Sequence, residues 1–127
     1  MKRIRKPPSR LQKLGKRGFR GYPVATVALY GPDAKRASKV AVSIFLRESE
    51  DPHHMQRWFS GDDVRHDAGI EAEILAFVRK HEVQSVVMTD RIIGCPHEEG
   101  VDYPEGQKCP HCPFWASRDR FTHDTIQ

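Results

Sequence analysis

The chain has 127 residues, 38% of them hydrophobic and 30% charged, which fits one small domain with a modest core. No stretch reaches the apolar length of a membrane span, and no apolar segment near the N-terminus reads as a secretory signal. The net charge of +4 is unevenly placed: residues 1–32 hold nine bases and no acid, whereas residues 33–127 hold 12 bases against 17 acids.

Residues 1–21 read as a basic, disordered N-terminal arm. They are rich in Lys, Arg, Gly and Pro and carry too few apolar side chains to offset the entropy of ordering. Ile4, Leu11 and Leu14 are too sparse to mark a helix. Arg3, Arg5, Lys6, Arg10, Lys13, Lys16, Arg17 and Arg20 are the candidate contacts to nucleic acid, since each phosphate neutralised releases counterions. Arg17-Gly18-Phe19-Arg20-Gly21-Tyr22 sets aromatic rings between arginines and resembles the flexible Arg-Gly segments of RNA-binding proteins. RNA or DNA is therefore the expected partner, RNA before DNA. A solvated tail is the plainer reading of the same charges. A targeting segment fits less well, given the lysines and Pro7-Pro8.

The rest, residues 22–127, reads as a single α+β domain. Val24 to Tyr30 is rich in β-branched and small apolar residues and predicts a strand. Gly31-Pro32-Asp33 is a turn signal, and Lys39 to Leu46 predicts a second strand, antiparallel to the first. Asp51-Pro52 followed by Met55, Trp58 and Phe59 at i, i+3 and i+4 predicts a short helix ending at Ser60-Gly61. Asp62-Asp63 suits a loop or cap. Asp67 to His81 predicts a long helix, with Ile70, Ile74, Phe77, Val78 and His81 on one stripe, acids early and bases late. Val83 to Met88 predicts a third strand closed by Thr89-Asp90. The expected fold is a small sheet, a β-hairpin plus a third strand, packed by one long and one short helix.

The metal-binding region 94–115 follows. Cys95, His97, Cys109 and Cys112 form two ligand pairs separated by a turn-rich loop, and they include all three cysteines. A Cys-x2-Cys pair puts two thiolates on one turn, and the second pair can close a tetrahedron. Three thiolates and one imidazole make a closed Cys3His set, the pattern of structural zinc sites. An odd cysteine count at this spacing suits ligation in a reducing compartment, the cytoplasm, better than disulfides. His123 is the reserve fourth ligand, and His111 should point away from the metal shared by its neighbours.

Two resemblances bear on the chemistry. Cys95-Pro-His97 followed by Cys109-Pro-His111-Cys112 looks like the two boxes of a Rieske iron–sulfur centre, with Cys112 where that family has His. A Cys3His iron–sulfur cluster is thus the alternative cofactor. His97-Glu98-Glu99 with Cys109-x2-Cys112 resembles the zinc deaminase pattern, with Lys108 in place of Pro and no role left for Cys95. On that alternative the protein would be a metalloenzyme, hydrolase- or deaminase-like, using Glu98 or Glu99 beside the metal. A protein–protein adaptor is the third class. No phosphate-binding glycine loop or nucleophile elbow is present, so no catalytic residue is assigned. The reading that unites arm and clip is a small zinc-stabilised module associated with nucleic acid.

Overall fold

The computed structural model describes residues 10–48 and 50–116. Arg3, Arg5 and Lys6 of the arm, and His123, lie outside the described residues. The elements run α1 (Arg10–Lys16), β1 (Val24–Tyr30), β2 (Lys39–Phe45), β3 (His54–Phe59), α2 (Ala68–Lys80) and β4 (Ser85–Ile92), with short 3-10 turns at Val64–His66 and Pro113–Trp115. The strands form one mixed sheet in the order β3-β2-β1-β4. β1 pairs antiparallel with β2 and parallel with β4, and β2 pairs antiparallel with β3. The protein is therefore α+β, with two helices beside a four-stranded sheet among the described residues. Among the described residues no helix is long and apolar enough to cross a membrane.

The alternation of the strands sorts their side chains. Ala25, Val27 and Leu29 of β1, with Val40, Val42 and Ile44 of β2, join Ile70, Ile74, Leu75 and Val78 of α2 in one apolar core. The i, i+4, i+8 spacing of Ile70, Ile74 and Val78 lays a stripe along one face of α2. Asp67 caps this helix, its Oδ1 accepting from the Ile70 N–H at 3.0 Å, and Arg79 and Lys80 occupy its last turn. These features match the expected Asp67 to His81 helix. The helix closes in a Schellman motif. Glu82 takes a left-handed conformation at φ 53°, the Glu82 N–H donates to the Arg79 carbonyl, and the Val83 N–H donates to the Val78 carbonyl.

Two expectations fail. The segment after Asp51-Pro52 is β3, not a short helix. Its i, i+3, i+4 spacing was fortuitous, since only Trp58 is buried and Met55 and Phe59 are exposed. The unpaired backbone of β2 decided the matter: pairing Ile44 to Lys39 with His54 to Phe59 satisfies a whole ladder. The short helix is instead α1, inside the segment read as disordered. Leu11, 5% exposed, enters the core, and Leu14 packs against it. Two apolar residues three apart suffice, because β4 and the α2 face were ready to cover them.

β4 also runs beyond Thr89-Asp90. Between the pairs Val27 with Met88 and Leu29 with Ile92, the strand carries extra residues in a bulge. Thr89 accepts from the Leu29 N–H there at 3.3 Å, and Ile92 returns to the core, 1% exposed.

Candidate metal centre

The bulge re-aims the chain. Past Ile92 the Ile93 N–H donates to the Leu29 carbonyl, and the Gly94 carbonyl accepts from the Gly31 N–H at 2.9 Å. Cys95 is thereby delivered to the C-terminal end of β1. At the far end of the loop the Trp115 indole N–H donates to the Gly31 carbonyl at 2.8 Å. Both ends of the loop are thus fastened to one residue. A side chain at Gly31 would run into the Arg36 carbonyl oxygen, so this position requires glycine for space.

The ligand atoms of Cys95, His97, Cys109 and Cys112 all lie within 4.8 Å of one another. His97 Nδ1 stands 3.2 Å from Cys95 Sγ and 3.4 Å from both Cys109 Sγ and Cys112 Sγ. Bonds of about 2.0–2.3 Å from one small cation to N and S donors in a tetrahedron place those donors about 3.5 Å apart. The donor set therefore fits a metal ion in both chemistry and spacing, and the four residues could hold one. His111 is exposed, outside the donor group, with its ring 5.4 Å from that of His97. Burial pushes the Cys95 and Cys112 thiols up from the ordinary range, and hydrogen bonding with Cys112 pushes Cys95 further. A divalent cation would reverse that preference, because the thiolate is the ligating form.

The loop lies across the sheet face opposite the helices. Lys39 opens β2 with its side chain on that face, only 4% exposed. Its Nζ donates to the Pro96 carbonyl at 2.9 Å and pairs with Glu98 Oε2 at 3.1 Å. It also stands over the Tyr30 ring, 5.4 Å from the centroid, and 5.7 Å from that of Phe59. Arg57 of β3 grips the same carboxylate, Nε to Oε2 at 2.7 Å and Nη2 to Oε1 at 2.8 Å. Burial alone would raise the Glu98 carboxyl, but these two cations hold it below the usual range. The dock explains why β2 is buried along almost its whole length: the core covers one face and the loop the other.

These contacts also decide the fate of the two acids. Glu98 is committed to the dock through both oxygens. Glu99 Oε1 accepts from the Gly106 N–H at 2.9 Å and braces the loop from within. Both acids thus help to hold the loop in place, Glu98 against the sheet and Glu99 from within. Between the loop and the sheet lies a cleft of about 390 Å³, walled by Thr26, Ser43, Met55 and Tyr103. Lys39, Arg57, Glu98 and Glu99 also line it, so its charges balance.

Sequence reasoning found the donors but missed Lys39 and Arg57. A lysine in phase with Ala41 and Ser43, opposite Val40, Val42 and Ile44, was the available signal that β2 has a second covered face. Asp63 proves to be a cap. It accepts from the N–H groups of Arg65 and Ala37 and pairs with the Arg65 guanidinium at 2.7 Å. Of the basic candidates, Arg10, Lys13, Lys16, Arg17 and Arg20 are exposed and enter no ion pair among the described residues. Arg10, Lys13 and Arg17 line one groove with Arg79 of α2, beside Glu82. Comparison of the chain with family models, with curated proteins and with solved structures gave no match.

Proposed function

We propose that the protein is a zinc-stabilised binding module of the cytoplasm, in which the metal fastens the loop and the basic surface around α1 holds nucleic acid, RNA before DNA. The single observation carrying the first half is the convergence of three sulfurs on His97 Nδ1 within 3.4 Å. A Cys3His set is closed, leaving no position for a reacting water, and zinc is the metal such closed sets favour. Its chemistry there is cohesion: it would join the two ends of a loop that has little apolar surface of its own.

The second half is supported by charge and placement. Arg10, Lys13 and Arg17 recur at i, i+3 and i+7 of α1 and its C-terminal turn, so they fall on one side. Their groove partner Arg79 extends the same positive strip. Phosphate contacts of this kind give salt-dependent affinity with slight sequence preference.

Elemental analysis of the purified protein tests the metal. Zinc equimolar with the chain supports the reading. Iron, with visible absorbance from a cluster, would establish the iron–sulfur alternative instead. Titration of labelled RNA at low salt tests the partner. An absence of binding, with labelled DNA as well as RNA, would leave the metalloenzyme and the protein–protein adaptor as the remaining classes.

A further inference from the structure

Two large aromatic side chains stand in solvent beside the basic strip. Phe19 is 67% exposed and Tyr22 39%. Their rings meet edge to face, 5.5 Å between centroids and 72° between planes. An exposed phenyl ring forgoes the gain of burial, about 25 cal/mol for each Å² left in water, a gain that a base stacked on it would supply.

The segment that carries them is fastened to β4 at Arg20 and Gly21 and just before it at Pro23. Ser85, 2% exposed, opens β4 beneath it. Its Oγ accepts from the Arg20 N–H at 2.6 Å and donates to the Gly21 carbonyl at 2.7 Å. The Gln84 N–H donates to the Pro23 carbonyl at 2.9 Å, and Gln84 is also a wall of the groove lined by Arg10, Lys13, Arg17 and Arg79. The pinned aromatic segment therefore continues the groove at its Gln84 end. Arg17 and Arg20 flank Phe19 in the chain, and both are exposed.

We propose that Phe19 and Tyr22 are a stacking platform for unpaired bases, which makes single-stranded nucleic acid the ligand of the α1 groove. The inference rests on the nucleic-acid reading above and narrows it. In a duplex the base faces are covered by their neighbours, so rings on the protein surface find no π-face to stack on. In a single strand each base offers a π-face, and stacking on an aromatic ring tolerates any sequence. The groove supplies the other half of the recognition. Its four cations track the phosphates, while Glu82 at the wall opposes an anion and marks one edge of the path.

The test is fluorescence anisotropy of the metal-loaded full chain with two probes, a labelled oligouridine strand of roughly ten nucleotides, within single-strand site sizes, and an RNA duplex of equal length. The expected result is tighter binding of the single strand. Phe19→Leu, which keeps bulk and removes the π-face, and Tyr22→Ala should each weaken it by roughly tenfold. Neither should change the slope of log affinity against log salt or affect duplex binding. Lys13→Gln and Arg17→Gln should instead each lower that slope, by about 0.7 for a single strand. Equal affinity for both probes, or aromatic variants that bind like the parent, would overturn the stacking platform while leaving the phosphate contacts standing. No binding of either probe at low salt would overturn the nucleic-acid reading itself. Far-UV circular dichroism of each variant confirms that the fold is kept.

Discussion

Glu82 holds a backbone conformation that suits glycine. At φ 53° its Cβ crowds its own carbonyl, yet the Schellman closure of α2 depends on that turn. Glu82→Gly should raise stability by about 0.5–1 kcal/mol, read as a higher melting temperature. Asp63 works in the opposite sense. Burial tends to raise its carboxyl, but hydrogen bonds from the Arg65 side chain and from the N–H groups of Arg65 and Ala37 prevail and lower it from 3.8 to about 2. Because the folded value lies below the unfolded one, this contribution is complete above about pH 4 and is lost as pH falls towards 2. Asp63→Asn should cost about 2 kcal/mol at neutral pH and flatten the stability profile across that window, measured by urea denaturation at several pH values. That the Asp62-Asp63 pair suits a loop or cap was legible from residue type. The link of Asp63 to Ala37, 26 positions earlier, was not, since local sequence carries no sign of which loop will lie alongside.

The loop over the sheet is held by the Glu98 dock and the paired hydrogen bonds of Gly31, and the four donors would add a third fastening once a metal is bound. Cys109→Ser removes a donor and should release amide protection across residues 94–115 in hydrogen exchange, while β1, β2 and α2 stay protected. A strong chelator should produce the same pattern. Gly31→Ala attacks the loop from the sheet side and should weaken metal retention, read as faster transfer of the ion to a chelator, with all four donors intact. The two hairpin strands and α2 were legible because their patterns are long and consistent with their surroundings. β3 was not. Met55, Trp58 and Phe59 satisfy a helical spacing, and only the open edge of β2, invisible in the local sequence, turns the segment into a strand.

For the molecule as a whole, the division into basic arm and mildly acidic body is sound in charge but not in packing. Leu11 belongs to the arm by sequence and to the core by burial. Leu11→Ala should therefore destabilise the whole fold, by about 2–4 kcal/mol in a two-state denaturation. Removing residues 1–21 would mix loss of charge with loss of packing. Neutralising Arg10, Lys13 and Arg17 separates the two, since all three are exposed. The Cys3His group was legible because residue type and spacing alone suggest a ligand set. The groove was not, because its walls come from α1 and from the end of α2, which are distant in the chain.

The loop that carries the donors also roofs a sheet. Beneath and beside it lie Met55, Phe59 and Val87, already partly bare, and among the described residues β3 and β4 are the outermost strands of the sheet. Lifting the roof would add the faces of Ala28, Ala41 and Tyr30 to that surface, beside the outermost strands. Metal supply would then govern colloidal behaviour as well as local order. Chelated protein should self-associate in a concentration-dependent way, seen by light scattering, and restored metal should return it to solution only while the sheet faces have not yet found each other.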